Sequence, residues 1–500
     1  MSQPLQKTTC GIPALDNVLH GGLLPERLYL IDGNPGSGKT TLALQFLLAG
    51  VRAGERCLYV TLSETRQELL AGAASHNWSL RGIDIVELAS ENEALEGNGS
   101  LTMIQPADVE LSETMQKILA AIEKTNPQRV VLDSLSEMRL LAQSSLRYRR
   151  QILALKEFFV GRKCTVLMLD DRTAEGPDLQ LHSIAHGVIA LYLKPPVYGQ
   201  ARRQLQVLKF RGSDFATGFH DFRILNGGIT VFPRLVASEH GAEFNRTLIK
   251  SGVSTLDALL GGGVERGTST LLVGPPGSGK STIALQYAVA ATARGDHAAA
   301  FIFDETRAAL LGRSAGVGLT INEGDGPGQI TLRQIDPVEI SPGEFAAEVR
   351  RSVEQDHAHV VIMDSLNGYL NAMFQDNYLA AQLHELLSYL SNNGVTTMMV
   401  IAQSGMLGAN MTSPIDASYL ADCVVLLRYF EHNGAVKKAI SVMKKRTGGH
   451  EDSIRQIWFD AHGIHLSEPL LGLRGVLTGV PVELTGGAAA TLNVPARLRD

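Results

Sequence analysis

Gly33-Asn34-Pro35-Gly36-Ser37-Gly38-Lys39-Thr40 reads G-x-x-x-x-G-K-[ST], the phosphate-binding P-loop. Its residue types follow from its chemistry. Glycines let backbone N–H groups approach phosphate oxygens with no Cβ in the way. Lys39 supplies a point charge for the β- and γ-phosphates, and the Thr40 hydroxyl suits Mg²⁺. Arg27-Leu28-Tyr29-Leu30-Ile31 reads as a strand entering the loop, and Thr41 to Leu48 as a helix leaving it. A helix N-terminus aimed at phosphate adds its dipole to the site.

The motif occurs twice. Gly274-Pro275-Pro276-Gly277-Ser278-Gly279-Lys280-Ser281 is a second P-loop, followed by Thr282 as the first is followed by Thr41. Lys280 lies 241 residues after Lys39, and the neighbouring sequence repeats at the same offset. Gly11-Ile12-Pro13-Ala14-Leu15-Asp16 is echoed by Gly252-Val253-Ser254-Thr255-Leu256-Asp257, and Gly21-Gly22-Leu23 by Gly262-Gly263-Val264. A repeat of about 240 residues is a tandem duplication of one domain. The boundaries expected are a first domain over 1–236, a linker over 237–246, a second domain over 247–484 and a tail over 485–500. Within each half, apolar strands alternate with amphipathic helices. That predicts an α/β fold whose mostly parallel sheet is flanked by helices, with ligands at the carboxyl ends of its strands.

Other runs end in acid at matched places. Arg129-Val130-Val131-Leu132-Asp133 and His359-Val360-Val361-Ile362-Met363-Asp364 read as buried central strands. Asp133 and Asp364 are the candidates to hold Mg²⁺ with Thr40 and Ser281, although a strand-end Asp also caps helices. Glu64 and Glu305 stand at one offset from their P-loop lysines, at the end of a strand expected beside the loop. They are candidates to orient or deprotonate a nucleophile, or else solvated acids at a helix start. Late in each half come Lys209-Phe210-Arg211 and Lys444-Lys445-Arg446. Cations two apart share one face of a strand. The pair suits a phosphate in the chain's own site or across a subunit boundary, or else a solvated edge strand.

Composition narrows the class. The chain has 500 residues, 44% of them hydrophobic, and a net charge of −6. Its pI is about 6.2, so there is no global basic footprint for nucleic acid. Arg147-Tyr148-Arg149-Arg150 is the main local basic cluster. Cys10, Cys57, Cys164 and Cys423 form no C-x-x-C pair, which argues for reduced thiols rather than a disulfide frame or zinc site. Met1 to Lys7 has no apolar leader run, and no window approaches the roughly 18 apolar residues of a membrane span. A cytoplasmic protein is expected.

The duplicated P-loop, strand-end acid, Asp strand and K-x-R strand together resemble the KaiC circadian-clock family of ATPases and autokinases, and more broadly RecA-like ATPases, over roughly Lys7 to Glu483. The resemblance implies ATP and Mg²⁺ as cofactors and a homohexamer of two stacked rings with nucleotide between subunits. It implies that Lys209, Arg211, Ser213, Lys444 and Arg446 reach a neighbour's nucleotide. It further implies hydrolysis in the first ring and transfer to protein Ser/Thr in the second, with Glu64, Asp304 and Glu305 as catalytic acids. This sequence departs from the family at several points. Ser63 precedes Glu64 where the family has a second glutamate, which points to slow hydrolysis there. Asp304 keeps the charge on a shorter arm. The family's phosphorylated Ser-Thr pair appears as Ser418-Tyr419, leaving Ser418 as the phosphosite candidate, and a family tryptophan appears as Val317. Arg474 to Pro481 resembles the family's C-terminal regulatory loop, but the Gly/Ala-rich tail beyond it offers no amphipathic partner helix. Two other classes stay in view: a nucleic-acid motor, disfavoured by charge, and an ATP-switched hub for a signalling protein.

Overall fold

The computed structural model describes residues 6–88, 107–142, 144–172, 179–195, 198–372, 379–403 and 419–483. It divides into two compact units, Met1–Arg234 with Ser341–Phe345, and Leu235–Ile340 with Ala346–Asp500. Each holds one large sheet. Among the described residues no helix is long and apolar enough to cross a membrane.

The first sheet has nine strands: β1 Leu28–Gly33, β2 Cys57–Thr61, β3 Ile83–Glu87, β4 Arg129–Asp133, β5 Thr165–Asp171, β6 Gly187–Lys194, β7 Arg202–Phe210, β8 Phe219–Leu225 and β9 Gly228–Phe232. Their order is β3-β2-β4-β5-β1-β6-β7-β8-β9. The strands from β3 to β6 pair in parallel, and β6 to β9 form an antiparallel meander. Every residue of β1, β2 and β4 is buried. This explains their unbroken apolar sequences, since a parallel strand covered on both faces has no polar side to show. One core packs Phe46, Leu47 and Tyr59 on one face of the sheet, and another packs Ile118, Ile152 and Leu155 on the other.

In the second unit a two-stranded ribbon, β10 Leu248–Ile249 with β11 Val264–Glu265, precedes the sheet. The sheet strands are β12 Ser269–Gly274, β13 His297–Ile302, β14 Ile330–Gln334, β15 Ala358–Asp364, β16 Thr396–Ala402, β17 Cys423–His432, β18 Ala435–Lys445, β19 Arg455–Asp460 and β20 Gly463–Pro469. The order β14-β13-β15-β16-β12-β17-β18-β19-β20 repeats the first sheet strand for strand. These are two tandem RecA-like domains, parallel where the sites lie and antiparallel at one edge.

One sequence expectation changes. Glu64 and Glu305 were expected beside the P-loop strand. In fact β2 is separated from β1 by two strands, β4 and β5, and β13 is likewise separated from β12. Right-handed crossovers carry the chain outward before it returns to fill the middle of the sheet. The inserted strands β5 and β16 bring residues of their own to each site.

Two phosphate-binding sites of unequal chemistry

Each P-loop joins the carboxyl end of a central strand to a helix, Lys39–Arg52 in the first domain and Lys280–Ala293 in the second. The N-caps are Gly38 at φ +107° and Gly279 at φ +105°, in left-handed conformations that other residues rarely adopt. A Cβ at Gly38 would lie 2.7 Å from Ile224, and one at Gly279 would lie 2.1 Å from the Phe459 ring. No side chain caps either terminus, which leaves the first-turn N–H groups to an anion. The Ser37 and Ser278 hydroxyls are buried and have no hydrogen-bond partner among the described residues. An orphaned hydroxyl inside a glycine-rich loop suits a phosphate oxygen.

Beside each loop sits a hydroxyl and carboxylate pair. Thr40 Oγ1 donates to Asp133 Oδ2 at 3.2 Å, and Tyr59, buried on β2, donates to the same oxygen. In the second domain Ser281 lowers the Asp364 carboxyl as Thr40 lowers that of Asp133. Burial raises both carboxyls above the usual value, against the hydrogen bonds that pull them down. A buried carboxylate on a hydroxyl is the hard-oxygen set that suits Mg²⁺, which takes its remaining oxygens from phosphates and water. Among the described residues no group of three or more His, Cys, Asp and Glu is placed to hold a metal ion.

The two lysines differ. Lys39 Nζ donates to the Gly33 and Asn34 carbonyls at 3.0 and 3.1 Å, and pairs with Asp171 Oδ1 at 2.6 Å. Asp171 ends β5, where Gly33 is its register partner. It belongs to a charged group in which Asp170 pairs with Arg139, and Asp32 with Arg172 and His182. Burial would raise Asp32, yet His182 and Arg172 outweigh it and hold the carboxyl below its usual value. The second domain has Val273, Ile401 and Ala402 at the matching register places. Lys280 Nζ donates to the Pro275 carbonyl at 2.8 Å. Burial pushes it down to about 8, opposed by Asp364.

The glutamates differ as well. Glu64 is held by its backbone, its N–H donating to Thr61 Oγ1 at 3.0 Å while its carbonyl accepts from that hydroxyl at 2.7 Å. Burial, then Asp133 and Glu68, raise its carboxyl. It lines a cavity of about 320 Å³ with Thr40, Thr41, Gly72 and His76. Glu305 instead accepts from Arg313 through both oxygens, from Nε at 3.2 Å and NH2 at 2.9 Å. Asp304 accepts from the Ser365 hydroxyl.

The basic pairs straddle the ends of β7 and β18. Lys209 and Lys444 lie on the strands, while Arg211 and Arg446 come just after them. Both strands carry an irregularity opposite the pair, between Val188 and Ile189 and between Val424 and Val425. Lys209 Nζ donates to the carbonyls of His182 and of Ala185, the latter at 2.7 Å. Lys444 Nζ donates to the Ala421 carbonyl at 2.8 Å. Arg211 donates to the Ser183 carbonyl at 3.2 Å, and Arg446 to the Tyr419 carbonyl at 2.8 Å. Ser213 Oγ accepts from Lys7 at 2.7 Å. The pairs thus anchor the segments before β6 and β17, with Arg211 and Arg446 exposed. Ser418 and the tail lie outside the described residues.

Sequence reasoning missed Asp171, Tyr59, Ser365 and Arg313. Asp171 had a signal, because Thr165–Asp171 is another apolar run ending in acid. Arg313 had one in the repeat itself, where its counterpart at the 241-residue offset is Gly72.

Fold and loops define a tandem P-loop ATPase of the RecA-like class. The KaiC ATPase family model matches residues 8–236 and again residues 249–470. The circadian clock protein KaiC3 of Synechocystis sp. is 26% identical over 489 residues, covering 96% of this chain and 95% of that protein. The circadian clock oscillator protein KaiC of Picosynechococcus sp. is 25% identical over 485 residues (96% and 93%), and that of Synechococcus elongatus is 25% identical over 493 residues (97% and 93%). The chain belongs to the KaiC ATPase family and binds ATP.

Proposed function

We propose that the protein hydrolyses ATP as a homohexamer of two stacked rings, with Mg²⁺ held by Thr40 and Asp133 in one ring and by Ser281 and Asp364 in the other. The observation that carries the reading is the convergence, in both domains, of a loop lysine, a loop hydroxyl and a buried strand-end carboxylate, with Thr40 and Asp133 in contact at 3.2 Å. In the first domain Glu64 is the base. It lines the cavity shared with Thr40 and Thr41, and a carboxyl raised by burial takes a proton from water more readily than an ordinary one. When bound, Mg²⁺ neutralises the charge that builds on the phosphates. Lys39 and Lys280 bind phosphate, and Arg211 and Arg446 are exposed for a neighbouring subunit's nucleotide.

The second domain phosphorylates Ser418 in this reading. Engagement of Asp304 by Ser365 and of Glu305 by Arg313 favours the alternative, an ATP-switched interaction hub with no kinase activity. Native mass spectrometry with ATP and Mg²⁺ tests both. Six subunits, nucleotide in each ring and one phosphate on Ser418 support the kinase. A nucleotide-filled hexamer whose Ser418 stays unmodified supports the hub, and a monomer with no nucleotide contradicts the whole reading.

A further inference from the structure

The position that most separates the two sites lies on the helix after the glutamate. In the first domain this helix, Arg66–Ser75, carries Gly72 on the wall of the Glu64 cavity. In the second, Arg307–Gly316 carries Arg313 at the matching place. Arg313 does three things with one planar group. Nε and NH2 take the two oxygens of Glu305 at 3.2 and 2.9 Å, and NH1 donates to Thr282 Oγ1 at 3.2 Å. Thr282 is the residue after the P-loop hydroxyl, and its counterpart Thr41 lines the first-domain cavity. The guanidinium therefore bridges residues whose equivalents, in the other domain, line one cavity with Gly72 on its wall. A fork-on-fork pair fixes the carboxylate's orientation as well as its charge.

We propose that Arg313 is a positioning residue that holds Glu305 away from the attacking water, so that the second site keeps ATP and turns it over slowly while the first turns it over freely. This rests on the reading of both sites as ATPases. In the hydrolytic step a bond forms between water oxygen and the γ-phosphorus, the bond from that phosphorus to the β–γ bridging oxygen breaks, and the water proton passes to a carboxylate oxygen. ADP and phosphate leave. Glu64 lines the open cavity beside Thr40 and Thr41 and has no arginine at the place of Arg313, where the helix carries Gly72. Glu305 has both oxygens on Arg313, and accepts it only when the arginine lets go. Slow turnover is thereby assigned to the second domain, whereas Ser63 alone points to slow hydrolysis in the first.

The experiment uses the full chain with one site silenced. In a Lys39→Ala background, Arg313→Gly is expected to raise second-site kcat by at least about tenfold with KM within about twofold, a part of the effect of freeing a general base. Adding Glu305→Gln is expected to abolish the gain, a non-additivity that a merely structural role would not produce. Native mass spectra supply a readout apart from rate: the Arg313 protein should retain ATP in its second domain, and the Arg313→Gly protein ADP. The reciprocal graft guards against misfolding. A Cβ at Gly72 meets nothing within 4 Å, so Gly72→Arg in a Lys280→Ala background is expected to slow the first site by a similar factor. Arg313→Gly turnover equal to or below that of its parent, with Gly72→Arg also without effect, would overturn the proposal. If Lys280→Ala and Glu305→Gln change neither second-site nucleotide retention nor turnover, it is the ATPase reading of that site that fails.

Discussion

The two domains share strand order, loop geometry, offset and the charged residues of the loop and its Asp strand, yet differ in the charges that stand beside them. The first pairs Lys39 with Asp171, has Asp170 and Asp32 in ion pairs of their own at the ends of the same strands, and has Glu64 on the wall of a cavity. The second has Val273, Ile401 and Ala402 at the matching strand positions and ties Glu305 to Arg313. Duplication kept the loop lysine, the loop hydroxyl and the strand-end Asp, and let the residues beside them diverge. Fold follows from the buried strands, which either copy supplies; chemistry follows from the strand-end and helix-face residues, which the strands do not constrain.

The strongest break in the comparison comes from the glutamates. Glu64→Gln is expected to lower first-site turnover by roughly a hundredfold or more, the usual contribution of a positioned base. Glu305→Gln alone should lower second-site turnover much less, because the wild-type carboxylate is already engaged. Site-specific ATPase rates in the Lys280→Ala and Lys39→Ala backgrounds check this, and equal losses would erase the distinction. Next come the lysines. Lys39→Ala and Lys280→Ala should each weaken nucleotide binding at one site by tenfold to about a hundredfold, the worth of charge-assisted hydrogen bonds. In the proposed hexamer each should also loosen one ring, since nucleotide bound between subunits would act as a stabilising ligand. Intact hexamers with one ring empty of nucleotide would count against it.

A third prediction uses pH. Lys280 titrates near 8 in the fold against about 10.5 in an ordinary setting. Between those values the unfolded chain binds more protons than the folded one, so stability rises with pH there. In nucleotide- and metal-free protein the second domain's unfolding midpoint should climb from pH 8 to 10, with an upper bound of roughly 3 kcal/mol. Lys280→Met should flatten the climb. An unchanged slope in that variant would assign it to another group. The smallest effect is expected at Thr65, whose hydroxyl caps Arg66–Ser75 in a reciprocal box with Glu68. Thr65→Ala should cost about 1 kcal/mol of first-domain stability, read by thermal unfolding. Thr306 caps the matching helix but has Ala309 where the box needs an acid, so Thr306→Ala should cost less.

The fold was legible because its signals are local. The P-loop, the apolar runs ending at Asp133 and Asp364 and the fixed offset between copies each announce themselves within a few residues. Strand order was not, since nothing in Cys57–Thr61 tells that two strands will come between it and Leu28–Gly33. That order explains why Asp171 escaped notice. Its importance arises from register against Gly33, a pairing across distant sequence. Arg313 escaped for a different reason. Repeat analysis rewards identity between the copies, and a glycine opposite an arginine looks like drift until the guanidinium is seen on Glu305.

The account's central claim is that two like-shaped sites do unlike work. Site-resolved nucleotide analysis of the wild-type protein after ATP is added tests it most directly. The account predicts ADP accumulating in the first domain while the second still holds ATP. ATP held in the first domain with ADP in the second, or both sites turning over together, would contradict it.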